Sequence, residues 1–400
     1  MSELKILDGN HAAAEAMRQI APEVVPAYPI TPTSYIFEVF TKYVNNGLVQ
    51  SEVMTVESEH AAMSACVGAC AAGGRVMTAT ASQGLKLMSE VLWNASGLRL
   101  PIVLINGNRA LGAPLSIHCD HSDSLAERDC GFIQMYAKDA QEMYDLLLQS
   151  FLIAEHDDVR TPIMINMDAF LVTHTHQEIA VESDKKVKEF IGKANIKNAL
   201  LDIDNPVSYG GATRPDYYQE ARRNQLQGLL NAYEVISKIG SDFNKKFGRS
   251  ENYNYSSFGE DYLLDDAEFV YVQMGSSFGT IKNAVDQMRK NGIKAGILRL
   301  RTYRPFPSEY VRQMLQDAKI VMVMDKTSPA GGESAPLSME VKSAMYDGEN
   351  KPTIVPFIYG LGSKDFNPNH AKEMLDLAKK VDAGEEEIFS EESVWVNLRG

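Results

Sequence analysis

The stretch that decides the fold runs from Met54 to Ser82: MTVESEHAAMSACVGACAAGGRVMTATAS. Its first residues, Met54–Ser58, predict a short strand, and the small residues of Glu59–Ala72 predict a helix that two glycines end. The β-rich run Val76–Ser82 predicts the next strand. Two strands joined by a helix of this length need a crossover connection, which is typical of a parallel sheet.

The same alternation continues on both sides of this stretch. Further strands are predicted at Val25–Ile30, Pro101–Gly107 and Pro162–Asp168, and further helices at Gln83–Gly97 and Gln141–His156. The sequence therefore predicts an α/β domain built on a mostly parallel sheet.

The composition changes after this domain. The segment from about residue 185 to 263 is polar and rich in Tyr and Asn, with a long helix predicted around Tyr217–Ile239. A second α/β unit follows, with strands predicted at Glu268–Met274, Lys294–Leu300, Lys319–Asp325 and Thr353–Tyr359, and helices at Gly279–Asn291, Ser308–Gln316 and Pro368–Lys380. We expect three parts: a first domain over 1–190, a connector over 191–263 and a second domain over 264–400.

Composition and charge restrict the possible functions. The chain of 400 residues has 39 basic and 53 acidic side chains, a formal net charge of −14. So acidic a surface argues against nucleic-acid and membrane-surface binding. No run approaches the ~20 apolar residues of a membrane span, and the first residues lack a signal-peptide profile, so we expect a cytoplasmic protein. The four cysteines lack cluster spacing and are predicted to be buried thiols: Cys66, Cys70, Cys119 and Cys130.

Common single-chain enzyme motifs are absent from the sequence. It contains no Gly-x-Gly-x-x-Gly opening a strand–helix unit, no Walker phosphate loop, no Gly-x-Ser-x-Gly elbow and no His-Glu-x-x-His pair. Candidate chemistry is confined to polar segments that follow predicted parallel strands, where open α/β sheets bind ligands.

Three segments qualify, and each also has a purely structural interpretation. The turn Tyr28-Pro-Ile-Thr-Pro-Thr-Ser34 displays hydroxyls that suit a carboxylate, or is simply a rigid turn. In Glu57-Ser-Glu59-His60, an acid enters an Ala-rich helix, either as a desolvated functional group or as a complement to the helix dipole. The arginine of Asn106-Gly-Asn-Arg109-Ala offers a fork to an anion. The cluster Asp120-His-Ser-Asp123 that follows has weak metal spacing and favours a polar loop, so no metal ligand is predicted.

Eight short motifs share their order with a known family. They are Asp8-Gly-Asn10-x-Ala-Ala, Tyr28-Pro-Ile-Thr-Pro, Ser58-Glu-x-Ala-Ala, Thr80-Ala-Ser-Gln-Gly-Leu85, Asn108-Arg109-Ala110, Leu115-Ser-Ile with Asp120-His-x-Asp123, Asp168-Ala-Phe and Gly210-Gly-Ala. On these motifs nearly the whole chain resembles the α subunits of pyruvate:ferredoxin oxidoreductases, also called pyruvate synthases. The resemblance implies a transketolase-like, thiamine-diphosphate pyrimidine-binding domain followed by a transketolase C-terminal-like domain.

The resemblance also implies roles for particular residues. At the position of the glutamate that bonds the cofactor's aminopyrimidine ring stands Glu59, with Glu57 as the nearby rival. Tyr28 and Pro29 fall at the cofactor, and Thr31 and Arg109 fall where the family holds the substrate carboxylate. The implied activity is oxidative decarboxylation of pyruvate to acetyl-CoA and CO2 with reduction of ferredoxin, or the reverse.

The resemblance implies partners as well. Thiamine enzymes bind the diphosphate and Mg2+ with a Gly-Asp-Gly segment, which this sequence lacks. A β subunit is therefore expected to supply the diphosphate half of the site and the nearest 4Fe-4S cluster, with γ and δ parts, ferredoxin and coenzyme A completing the reaction. Two alternatives stay open: the α subunit of an oxidoreductase for another 2-oxo acid (2-oxoglutarate, a branched-chain or an aryl oxo acid), and an inactive assembly scaffold.

Overall fold

The computed structural model describes residues 2–249, 254–255, 257–385 and 393–399. Two α/β units dominate the described part, and both are built on largely parallel sheets. Among the described residues, no helix is both long enough and apolar enough to cross a membrane.

The first unit alternates strands and helices from its beginning. Its elements are β1 (Glu3–Leu7), α1 (Gly9–Ile20), β2 (Val24–Ala27), α2 (Ser34–Asn45), β3 (Glu52–Thr55), α3 (Glu59–Ala71), β4 (Met77–Thr80), α4 (Ser82–Leu87), α5 (Ser89–Gly97), β5 (Val103–Asn108), α6 (Ser122–Leu125), β6 (Ile133–Ala137), α7 (Ala140–Ala154), β7 (Ile163–Asp168), β8 (Gln177–Val181) and α8 (Asp184–Ile191).

Six strands of this unit, β2 to β7, share one direction and therefore one carboxyl edge. β4, β5, β7 and β6 pair in parallel, β2 pairs in parallel with β3, and a bridge from Val24 to Val76 joins the two groups. The sheet is buried on both faces: α1, α2 and α7 pack on one, and α3 and α5 pack on the other. All four cysteines are buried and unpaired, as predicted.

The long helix α9 (Pro215–Phe247) contributes to the core of the first unit. Its buried residues Ala232, Ile236 and Phe243 belong to the same hydrophobic cluster as α1 and α7. The segment that was predicted as a connector thus packs on the first unit over this helix.

The second unit follows β9 (Asn254–Tyr255). Its elements are β10 (Gly259–Tyr262), β11 (Phe269–Gln273), α10 (Phe278–Lys290), β12 (Ala295–Leu300), β13 (Thr302–Arg304), α11 (Ser308–Leu315), β14 (Ile320–Asp325), α12 (Pro336–Tyr346), β15 (Thr353–Ile358), α13 (Pro368–Asp382) and β16 (Val394–Trp395). The sheet order is β16-β15-β14-β11-β12-β10-β9, with α10 and α13 on one face and α11 and α12 on the other.

The two units share backbone hydrogen bonds. β13, from the second half of the chain, pairs antiparallel with β6 at the edge of the first sheet. Asp168, at the end of β7, contacts Ser276 and Lys326, which follow β11 and β14. The carboxyl edges of the two sheets are therefore close to each other.

Candidate active site

The turn after β2 is fixed from three sides. The Thr33 hydroxyl donates to the Ile30 carbonyl at 3.1 Å, and the Asn10 amide donates to the Pro32 carbonyl at 2.9 Å. A Cβ on Gly107 would lie 2.7 Å from the Thr33 methyl, so only glycine lets β5 approach the turn this closely. The three candidates on this turn keep access to solvent: Tyr28 is half-buried, and Pro29 and Thr31 are exposed.

Glu59 and its rival Glu57 occupy different environments. Ser58 caps α3 by accepting from the Ala61 N–H at 3.1 Å, which makes Glu59 the first helical residue. Glu59 is only 6% exposed, whereas Glu57 is exposed. Glu59 therefore has the desolvated position that the sequence suggested for a functional acid, and Glu57 does not.

The Glu59 carboxylate lies against the start of α4. A Cβ on Gly84 would be 2.5 Å from both the Glu59 Oε1 and the Thr80 Oγ1 atoms, so a side chain there would displace the carboxylate or the hydroxyl. Within the described part of the chain, the Glu59 carboxylate forms no hydrogen bond or ion pair. It is therefore a buried acid that is available to a ligand.

Other buried polar atoms at this edge also have no partner. Three side-chain oxygens at the ends of β4 and β5 are without a hydrogen bond among the described residues: Thr80 Oγ1, Asn106 Oδ1 and Asn108 Oδ1. Buried polar atoms are nearly always paired in proteins, so three unpaired ones at the ends of two neighbouring strands indicate a polar binding site.

Arg109 and Thr31 are neighbours. The Arg109 Nη1 donates to the Thr31 carbonyl at 3.0 Å, and its Nε donates to the Ser116 carbonyl at 3.4 Å. Burial lowers the pKa of Arg109, while the Asp123 charge raises it. A guanidinium has five N–H donors, so these two bonds leave donors for an anion beside the exposed threonine.

Asp123 organises the site, a role that its sequence position did not reveal. Its Oδ2 accepts from the Ser82 N–H and the Arg109 N–H, both at 3.0 Å, and its Oδ1 accepts from the Asn108 amide at 2.9 Å. Burial raises the pKa of Asp123, and these bonds lower it. The polar loop predicted at Asp120–Asp123 thus supplies a fully buried carboxylate that joins the start of α4 to the end of β5.

The start of α4 connects the acid to the arginine. Ser82 has a φ of +50°, which is uncommon for a residue with a side chain, and its hydroxyl donates to the Ala110 carbonyl at 2.5 Å. Two residues later Gly84 contacts Glu59. The structure brings Arg109 and Thr31 into contact, and Glu59 is joined to them through this turn.

A second cluster lies between the two sheets. Ligand atoms of Cys119, His121 and Asp168 all lie within 4.8 Å of one another. The Asp168 carboxylate, however, is already ion-paired with Lys326 and accepts from His121 Nε2 at 2.8 Å. A cation here would be repelled by the ammonium, so the cluster does not resemble a metal site.

Family models match both units. Residues 15–241 match the model described as pyruvate flavodoxin/ferredoxin oxidoreductase, thiamine-diphosphate-binding, and residues 267–371 match the model for core domain II of pyruvate:ferredoxin oxidoreductase.

Curated relatives align over nearly their full lengths. The chain is 43% identical to the pyruvate synthase subunit PorA of Thermotoga maritima, covering 98% of this chain and 97% of the relative. It is 41% identical to PorA of Methanocaldococcus jannaschii, over 100% and 99% of the two chains. Identity to the ketoisovalerate oxidoreductase subunit VorA of Pyrococcus abyssi is 38%, over 99% and 98%.

Solved structures share the fold. A 2-oxoglutarate:ferredoxin oxidoreductase from Magnetococcus marinus, solved with 2-oxoglutarate, coenzyme A and succinyl-CoA bound, superposes with a TM-score of 0.69 at 18% identity. The match covers 94% of this chain and 66% of that one, so the chain spans just under two thirds of that protein's length. A split-gene transketolase superposes with a TM-score of 0.52 at 12% identity.

Proposed function

The chain belongs to the pyruvate:ferredoxin oxidoreductase family, and from this membership we propose that it is the PorA-type α subunit of a pyruvate synthase. In the complex it takes part in oxidative decarboxylation of pyruvate to acetyl-CoA and CO2, with ferredoxin as electron acceptor, or in the reverse reaction. The observation that carries the proposal is the buried, unpaired Glu59 carboxylate at the carboxyl edge of a thiamine-diphosphate-binding domain.

The residues present fit the pyrimidine half of thiamine diphosphate. Glu59 would hold a proton against a ring nitrogen, with the Thr80 hydroxyl beside it and no side chain on Gly84 to fill the space. Tyr28 and Pro29 would contact the cofactor from the turn after β2. When bound, thiamine diphosphate supplies a carbon nucleophile and an electron sink for decarboxylation of 2-oxo acids.

The substrate carboxylate has a matching anchor. Arg109 is positioned by Asp123 and contacts the Thr31 carbonyl, so its remaining N–H groups and the Thr31 hydroxyl would hold one carboxylate together. A charge-assisted bond of this kind fixes orientation as well as affinity.

Partner subunits are part of the proposal because the sequence lacks Gly-Asp-Gly. A β subunit would supply the diphosphate and Mg2+ ligands and the first 4Fe-4S cluster. γ and δ parts would pass electrons to ferredoxin, and coenzyme A would accept the acetyl group.

A second candidate function is oxidation of a branched-chain 2-oxo acid, because VorA subunits share 38–39% of the sequence. The PorA relatives are somewhat more similar, at 39–43%, which favours pyruvate. An inactive scaffold is disfavoured, because Thr31, Glu59 and Arg109 are all present.

The test is to purify the chain with its co-expressed partners and to assay pyruvate, 2-oxoglutarate and ketoisovalerate with coenzyme A and ferredoxin. We expect the highest kcat/KM for pyruvate and no turnover by the chain alone. A higher kcat/KM for ketoisovalerate would assign the VorA function. No turnover of any 2-oxo acid by an assembled, cofactor-loaded complex would favour the scaffold.

A further inference from the structure

The second unit has the geometry of a ligand-binding sheet. From β11 the chain goes to β12 on one side and returns to β14 on the other, so β11 and β14 form the point where the strand order reverses. Open α/β sheets bind ligands beyond the carboxyl ends of strands at such a point. Here the Ser276 N–H and hydroxyl follow β11, and the Lys326 ammonium follows β14, which is chemistry suited to an anion.

The anion that occupies this point between β11 and β14 is the carboxylate of Asp168, a side chain of the first unit. The Asp168 Oδ2 accepts from the Ser276 N–H at 3.1 Å and from its hydroxyl at 2.6 Å, and it is ion-paired with Lys326. Gly275 has a φ of +75°, and a Cβ there would lie 2.6 Å from the Asp168 Oδ1, so the backbone is shaped around this carboxylate. Burial raises the pKa of Asp168, but Lys326 and His121 lower it well below the usual value, so the carboxylate is charged.

The second oxygen of Asp168 connects to the loop that holds the substrate arginine. It accepts from His121 Nε2 at 2.8 Å, and the His121 N–H donates to the Lys326 carbonyl at 2.8 Å. The same loop is bonded to the second unit once more: the Cys119 N–H donates to the Ser363 hydroxyl at 3.0 Å, and the Ser363 N–H donates to the Cys119 carbonyl at 3.2 Å.

Only Ser122 separates His121 from Asp123, the carboxylate that organises the site. Asp123 accepts from the backbone N–H groups of Arg109 and Ser82. The path from the strand-order reversal to the substrate arginine is therefore continuous: Lys326, Asp168, His121, Asp123 and Arg109.

We propose that Asp168, Lys326 and His121 form a clamp between the two units, and that this clamp positions Arg109 for the substrate carboxylate. The three are positioning residues, since they act on substrate through the loop and not by touching it. The position at which the second unit could bind an anion is thus filled by Asp168 of the first unit. Through the clamp, the second unit influences how tightly the substrate is bound, although no proposed substrate-binding residue belongs to it. The proposal rests on the proposed role of Arg109.

The test compares Lys326→Met with Lys138→Met in the assembled, cofactor-loaded complex. Lys138, which follows β6, also forms an ion pair between the units, with Glu260 on β10. The readouts are pyruvate KM, kcat and the Kd of oxamate, an unreactive isostere of pyruvate, measured by calorimetry. Coupling along a contiguous network predicts a roughly 2- to 30-fold rise in KM and Kd for Lys326→Met. We expect unchanged cofactor affinity in both variants. In Lys138→Met, the pyruvate KM and the oxamate Kd should stay at the wild-type values.

Wild-type oxamate Kd in a folded Lys326→Met complex would overturn the clamp, and so would an equal rise in Lys138→Met, which would indicate general loosening of the two units. If Lys326→Met does not assemble, the double variant Asp168→Asn/Lys326→Met removes both charges and carries the same expectation. Arg109→Ala separates the two proposals. If it leaves the oxamate Kd unchanged, the substrate role of Arg109 is wrong; if it raises the Kd and Lys326→Met does not, only the clamp is wrong.

Discussion

Glu59 combines burial with an unpaired carboxylate, and this combination makes one substitution decisive. Glu59→Gln keeps the shape but removes the exchangeable acid, so we expect the complex to assemble and turnover to fall by ~10²- to 10⁴-fold, the usual contribution of a positioned acid–base group. Hydrogen–deuterium exchange at the thiazolium carbon of the bound cofactor measures the affected proton transfer directly. The exposed Glu57→Gln is the matched control and should remain near wild type. The opposite outcome in the two variants would assign the role to Glu57.

Arg109 and Thr31 should contribute unequally to pyruvate capture. A hydrogen bond to a charged group is worth about 1.5–3 kcal/mol, so Arg109→Ala should lower kcat/KM roughly ten- to 150-fold. Arg109→Lys keeps the charge but loses the planar fork and should rescue only part of the loss. Thr31→Val removes a neutral hydroxyl from an exposed residue and should cost less. Cofactor affinity, measured beside the kinetics, should not change; a loss of cofactor binding with wild-type pyruvate KM would contradict the assignment.

At the scale of elements, the position of Gly84 in α4 leaves no room for a side chain. A methyl group there would lie 2.5 Å from both Glu59 and Thr80, so Gly84→Ala should weaken thiamine diphosphate binding and slow turnover despite the higher helix propensity of alanine. Gly68→Ala in α3 is the matched control, because nothing lies within 4 Å of its Cβ position. It should raise stability by about 0.5–1 kcal/mol and leave cofactor affinity unchanged. Calorimetric titration and thermal unfolding distinguish the two effects, and equal cofactor affinity in both variants would refute a ligand-facing role for Gly84.

Elements with a strong apolar run could be predicted from the sequence, and those that depend on tertiary contacts could not. The strand predicted at Pro101–Gly107 is β5, and the helix predicted at Glu59–Ala72 is α3. The single helix predicted at Gln83–Gly97 was wrong: the structure divides it into α4 and α5 at Met88. β6 and α12 were not predicted, because IQMYA has no alternation and a Gly- and Ser-rich loop precedes α12.

The same limit applies to the site. Glu59, Arg109 and Thr31 were identified because each follows a strand in a parallel sheet, and the structure places all three at that edge. Asp123 and Ser82 were missed as organisers because they are 41 residues apart, and nothing local in either segment indicates their hydrogen bond. Helices and strands are revealed by hydrophobic periodicity in the sequence, but a role that depends on one loop packing against another leaves no such pattern.

At the scale of the whole molecule, the two units are joined by a buried ion cluster in addition to the clamp. Glu142 on α7 accepts from Arg299 at 2.7 Å and from Arg301 at 2.5 Å, and both arginines come from the second unit. The two arginines are among the largest fully buried side chains. Because breaking a buried pair leaves an uncompensated charge, Glu142 should be essential for holding the units together.

This cluster gives a prediction about acid stability. Burial raises the pKa of Glu142, but the charges of Arg299, Arg301 and Lys138 together outweigh burial, so the pKa lies well below its ordinary value of 4.5. A carboxyl group whose pKa is lower in the folded state contributes stability above its unfolded pKa and loses it as the pH falls below that value. We therefore expect Glu142→Gln to destabilise the chain at pH 7 by about 3–5 kcal/mol. The difference from wild type should shrink as the pH falls below 4.5 towards the lower folded-state value.

Urea unfolding of both proteins at pH 7 and at acidic pH measures this difference, with Glu309→Gln as the control. Glu309 pairs with Arg312 on the surface, where such pairs contribute little, so its variant should follow wild type at every pH. If the curves for Glu142→Gln and wild type stay parallel down to acidic pH, the charge of Glu142 does not hold the units together. Their attachment would then depend on uncharged contacts such as the pairing of β13 with β6, which no carboxyl titration affects.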